Sequence, residues 1–169
     1  QHIANIGGTK TSNESFYDWG YLLSFPSIIH NNHSGSNYSF TPSIGYSKSN
    51  IGGYISFIDP AQADPSPWLA RFGMSGLFEV KNQDDTMLFK LTIVREAKDI
   101  LVSSHYDSLS GIRYFDYQSG LGDISIGNNI INSDSDKDLT IHRGFEINIL
   151  NAVSIRSGRY IDESSKINV

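Results

Sequence analysis

The feature that most constrains this chain is a two-residue hydrophobic period held over long stretches. Between Trp68 and Val80, the residues Trp68, Ala70, Phe72, Met74, Phe78 and Val80 fall on one face, against Arg71, Gly73, Ser75 and Glu79 on the other. Met87, Phe89, Leu91 and Ile93 repeat the pattern up to Arg95, after the polar turn Asn82-Gln83-Asp84-Asp85. Leu139, Ile141, Phe145, Ile147 and Ile149 alternate with Thr140, His142, Gly144, Glu146 and Asn148, and Arg143 is the one charge on that apolar face. Successive side chains of an extended strand point to opposite sides, so each run is a strand with one apolar and one polar face. Short polar connections between such runs predict an all-β antiparallel meander.

The remaining runs fit the same plan. Tyr17, Trp19, Tyr21, Leu23 and Phe25 share a face in a strand that should end at Pro26, since proline cannot donate to a ladder. Phe40 to Tyr46 has strand character. A turn at Lys48-Ser49-Asn50 should lead into a further strand over Ile51 to Ile58, with Ile51, Ile55 and Phe57 on one side and a bend at Gly52-Gly53. Ile124 to Ile131 alternates as another strand, while Glu96 to Ser110 reads either as a strand tail or as a polar excursion. A tight turn near Leu150-Asn151-Ala152 joins the last clear pair, ending in Val153 to Tyr160. Residues 1–14 read as an extended leader, leaving residues 15–169 as one β domain.

Composition narrows the functions. With 38% hydrophobic residues and 15 Gly, 9 Tyr and 9 Phe, the chain suits strands and polar turns better than helices. There is no cysteine, hence no disulfide and no thiolate metal site. A net charge of −5 without a Lys/Arg cluster argues against nucleic acid as a partner. No apolar run approaches the ~20 residues of a spanning helix, but a membrane barrel needs strands of only ~10 residues with alternate apolar positions. The chain opens on Gln1 rather than Met, as either a processed export product or a trimmed sequence would.

Catalytic and metal-binding patterns are weak. His30 and His33 are spaced for a metal but lie in an Asn/Ser/Gly stretch without a nearby carboxylate, which reads more simply as a solvated loop. Asn132, Asp134, Asp136 and Asp138 have the oxygen spacing of a calcium loop, yet Lys137 and Arg143 stand where an EF-hand needs Gly and Glu. No Gly-x-Ser-x-Gly elbow exists; Asp123-Ile124-Ser125-Ile126-Gly127 lacks the first glycine. Glu96, Asp99, Asp107 and Asp116 could supply a carboxylate pair for glycoside hydrolysis, with nothing in the sequence to choose among them. The expectation is a protein that is not an enzyme and carries neither metal nor cofactor.

Several stretches together resemble a known family. They are the Gly52-Gly53 strand followed by Asp59-Pro60 and Pro65-Ser66-Pro67, then Ala70-Arg71-Phe72-Gly73, the strand from Met87 to Val94, and Gly144-Phe145-Glu146 with Val153 to Tyr160. These resemble the later strands of PorV/PorQ-type outer-membrane proteins of Bacteroidetes, which are related to FadL-like barrels, and Asn5-Ile6-Gly7-Gly8-Thr9 is similar to the start of such mature chains. The resemblance implies a transmembrane β-barrel of the outer membrane, an accessory in type IX protein export or surface attachment, with other outer-membrane or secretion-system proteins and the lipid bilayer as partners. The family's small-residue segment after the leader is missing. At ~10 residues per strand plus turns, 169 residues supply roughly eight or nine strands, fewer than the family barrel has, so the expectation is a partial or small barrel.

The alternative from the residues themselves is a secreted soluble β-sandwich that binds carbohydrate or another ligand. Trp19 and Trp68 are its stacking candidates, while Arg71 and Arg156, on the polar faces, are candidates for ligand or partner binding under either reading. Aromatics near strand ends (Tyr17, Trp19, Tyr46, Trp68, Tyr114 and Tyr160) suit interfacial girdles of a barrel or the binding face of a sandwich. The two readings differ in where the apolar faces look: outward in a membrane barrel, inward in a sandwich.

Overall fold

A computed structural model describes residues 2–4, 12–31, 35–55, 64–109, 112–134, 139–162 and 167–168. Its strands are β1 (His2–Ala4), β2 (Ser12–Glu14), β3 (Phe16–Ser24), β4 (Ile28–Asn31), β5 (Asn37–Gly52), β6 (Tyr54–Ile55), β7 (Asp64–Pro65), β8 (Leu69–Lys81), β9 (Met87–Ile100), β10 (Val102–Asp107), β11 (Ile112–Tyr117), β12 (Leu139–Ile149), β13 (Val153–Asp162) and β14 (Ile167–Asn168), with a π-helix at Ile126–Asn132. Eight of the strands form one antiparallel sheet in the order β14-β13-β12-β9-β8-β5-β3, with β4 also on β5. The chain is therefore an all-β antiparallel protein, and among the described residues this sheet is open, with β3 and β4 at one edge and β13 nearly bare at the other, since β14 pairs only with Ile161 and Asp162.

Register divides the sheet into two faces. One cross-strand row runs Tyr21, Tyr46, Phe72, Ala97, Ile141 and Ile161; another runs Phe40, Phe78, Leu91, Ile147 and Ile155. Directly opposed residues point the same way, so these rows form one apolar face, as the alternation predicts. The opposite face carries Ser47, Arg71, Lys98 and Thr140 in one row and Thr41, Leu77, Thr92, Glu146 and Arg156 in another.

Three local expectations change. The turn expected at Lys48-Ser49-Asn50 does not form: β5 runs straight through to Gly52, and Asn50 adopts φ 59° inside it. Asparagine tolerates this left-handed conformation, and the Asp18 carboxylate accepts the Asn50 N–H at 2.7 Å, so the strand absorbs the irregularity. Ser56, Phe57 and Ile58, the rest of the strand expected after Gly53, lie outside the described residues. The strand before Pro26 ends as expected, β3 stopping at Ser24, and a separate strand β4 follows it along β5, with Phe25 N–H reaching the Pro42 carbonyl at 3.0 Å. His30 thus belongs to a strand, opposite Tyr38, and His33 lies outside the described residues.

The third change is the strand expected over Ile124 to Ile131, which is a π-helical turn over Ile126–Asn132. Asparagines decide it, because their side chains offer the backbone local partners that compete with a ladder. Asn129 is buried; its side chain accepts from Ser125 N–H and donates to the Asp134 carbonyl at 2.6 Å. Within residues 1–14, β1 and β2 pair with each other in a small antiparallel ribbon.

The connection from β9 to β12 is a structured excursion. The hairpin β10–β11 is tied to the sheet by Leu101 N–H to the Trp68 carbonyl and Gln118 N–H to the Leu101 carbonyl, both 2.8 Å. With the π-helical turn it covers one end of the apolar face, where Ala70, Ala97, Leu101, Ile124, Ile130 and Leu139 form the buried core and Tyr46, Trp68, Phe72, Met74 and Leu121 pack against it.

Candidate functional site

A groove of about 770 Å³ is sunk into the polar face of the main sheet, across β3, β5, β8, β9 and β12. Its floor is low because Gly45 and Gly73 face each other in one row, and Ser43, Ser75, Val94 and Gly144 follow in the next. Around it stand Leu22, Arg71, Glu96 and His142. His142 Nδ1 is 3.9 Å from Glu96 Oε1, too long for a hydrogen bond, and the imidazole packs 4.9 Å from the Tyr160 ring. His142 Nε2 is buried without a hydrogen-bond partner. The groove thus offers the Arg71 cation, a carboxylate and an imidazole over a glycine and serine floor, and Arg95 and Arg143, whose register places them on the opposite face, also border it.

The other face is its opposite. Beyond the end covered by the excursion, Ile93 is 54% exposed, Phe145 41% and Ile155 53%. Among the described residues no second sheet packs there. Aromatic contacts mark two levels of this face. Tyr38, Phe78 and Phe89 meet near the hairpin ends, with successive centroids 6.4 Å apart. Trp19, Tyr21 and Tyr46 cluster near the covered end at 5.3 and 5.7 Å, where the Tyr46 hydroxyl donates to the Gly120 carbonyl at 2.9 Å.

The residues singled out in the sequence do not converge. Trp19 is half exposed on the apolar face against Tyr46. Trp68 is spent on the fold: its ring lies 4.3 Å from Tyr117, its Nε1–H donates to the Gly52 carbonyl at 3.2 Å, and Lys48 Nζ sits 4.7 Å over it. Arg71 stands at the groove, while Arg156, several rows away on the same face, pairs with Glu146. Of the girdle candidates, Trp19 and Tyr46 lie on the apolar face, Tyr160 lies on the groove face beside His142, and Tyr114 belongs to the excursion.

The candidate carboxylates are also dispersed. Asp99 is buried and accepts the Asp123 N–H at 2.7 Å, fastening the excursion. Gly122 makes this possible, because at φ +61° a Cβ there would stand 2.1 Å from Asp99 Oδ2. Asp116 lies 3.5 Å from His105 on the exposed hairpin, and Glu96 faces the groove. Asp136 and Asp138 of the expected calcium loop lie outside the described residues, and among those described no group of three His, Asp or Glu is placed to hold a metal ion. Sequence reasoning missed the Glu96–His142 pair; the two are distant in sequence, and only the β9–β12 register brings them opposite each other.

Compared with protein-family models, curated proteins and solved structures, the chain matches none of them.

Proposed function

We propose that this chain is a non-enzymatic outer-membrane β protein whose apolar sheet face meets lipid and whose grooved polar face looks toward an aqueous interior. The observation that carries the proposal is the uncovered apolar face around Ile93, Phe145 and Ile155, set back to back with the polar groove. Water-exposed apolar area of this continuity points to a partner or a membrane. The uncovered stretch of β9, from Phe89 to Ile93, spans four residue steps, roughly 14 Å at ~3.4 Å each, about half of a barrel's apolar band of ~25 Å. Hydrocarbon tolerates no unpaired strand edge, so this reading requires β3 and β13 to be paired in the membrane by further strands. The resemblance to PorV/PorQ-type proteins directs the role toward protein export or surface attachment, with secretion-system proteins as partners.

The cysteine-free sequence permits a direct test. A polarity-sensitive fluorophore on Ile93→Cys or Ile155→Cys should shift to the blue when the protein is reconstituted in vesicles, whereas one on Thr92→Cys should not. Equal shifts at all three sites, or none, would remove the proposal and favour a soluble ligand-binding sheet in which Trp19 is the remaining exposed tryptophan.

A further inference from the structure

Three arginines stand side by side on the apolar face. Arg143 is opposite Arg95 on one side and Arg159 on the other, in the row that continues through Met74 and Ile44. The rows on either side contribute Ala97, Ile141 and Ile161, and Ile93, Phe145 and Ser157, with no carboxylate in either. Among the described residues the one arginine ion pair is Arg156 with Glu146, on the opposite face. Arg95 Nε is buried without a hydrogen-bond partner. Like charges directly opposite one another destabilise a sheet, with Cβ atoms only ~4.5–5.5 Å apart, and among the described residues this row has no counter-anion.

Its position suggests which anion. Ala97 and Ile141, one row toward the excursion, are fully buried, Ala97 in the core the excursion covers, whereas Ile93 and Phe145, one row the other way, are open. The arginines therefore mark the margin between covered and uncovered apolar surface. An anion held there has aliphatic and aromatic surface beside it, which suits an amphiphile with its head at the arginines and its chains over Ile93 and Phe145. Guanidinium groups bind phosphate bidentately, and their long stems let the charge reach the edge of an apolar layer.

We propose that Arg95, Arg143 and Arg159 form a binding site for the phosphate of anionic lipid headgroups. This rests on the membrane reading above and deepens it by naming the lipid class. The chain's net charge of −5 disfavours general attraction to anionic membranes, so any such preference has to come from a local site.

The test is flotation of the full chain with vesicles of phosphatidylcholine alone and with phosphatidylglycerol added. Wild type should favour the phosphatidylglycerol vesicles at least about tenfold, as three basic groups at a surface allow. The triple variant R95Q/R143Q/R159Q, shown to keep its far-UV dichroism, should bind both within about twofold, while the charge-matched K81Q/K90Q/R113Q should behave as wild type. The R95K/R143K/R159K variant should recover part of the preference. Equal wild-type binding to both vesicles, or a preference that survives in the arginine variant, overturns the site alone. Flotation with neither overturns the membrane reading and the site with it.

Discussion

The two ends of the apolar face share one alternation and meet different fates. At one end Ala70, Ala97, Leu101 and Leu139 are closed off by the excursion between β9 and β12. At the other, Ile93, Phe145 and Ile155 are exposed, and no described residue packs over them. The covered end behaves as an ordinary core, in which burial from water supplies stability. The open end contributes little to a folded chain in water; under the membrane reading its contribution would come from the bilayer. An alternating strand therefore specifies which face is apolar but leaves open what that face is packed against.

This contrast can be broken by mutation. The largest effect is expected at the covered end, where Leu101→Ala should cost about 2–5 kcal/mol in the denaturant unfolding of detergent-folded protein, as buried leucine truncations do. If Ile93→Ala costs as much under the same conditions, the two ends do not differ. Next comes Leu91→Lys on the open face, which should lose about 2–4 kcal/mol of stability in lipid, while Thr92→Lys, on the groove face, should lose much less. Gly122→Ala should follow at about 1–3 kcal/mol, because it forces a side chain into a left-handed position against Asp99, and it should loosen the excursion before the sheet, seen as faster amide exchange at Leu101. The smallest effect is expected for Arg156→Ala, whose pair with Glu146 is largely solvated; its unfolding midpoint should not move measurably.

What the sequence reveals and what it hides divide along the same line. The facing of β8, β9 and β12 is legible because period two leaves no freedom once strand character is granted, and Arg143 stands out on its strand for the same reason. That Arg143 has arginines on both sides is not legible, since Arg95 and Arg159 become its neighbours only through register. The course of β5 through Lys48-Ser49-Asn50 is hidden because a polar triplet looks locally like a turn, while the bond from Asn50 N–H to Asp18 that holds it in the strand comes from a distant part of the chain. The π-helical turn is hidden because Ile124, Ile126 and Ile130 also satisfy a strand period, while the deciding bonds of Asn129 are local and particular to its packing. The groove has no sequence signature: it arises where glycines and serines of separate strands come into adjacent rows.

The measurement that bears most directly on the membrane reading is sedimentation of the purified full chain with and without detergent, alongside far-UV circular dichroism. The account predicts a β-rich protein that is monodisperse in detergent or lipid and associates without it. A β-rich, monodisperse monomer in plain buffer would contradict it, because an uncovered apolar face could not remain there.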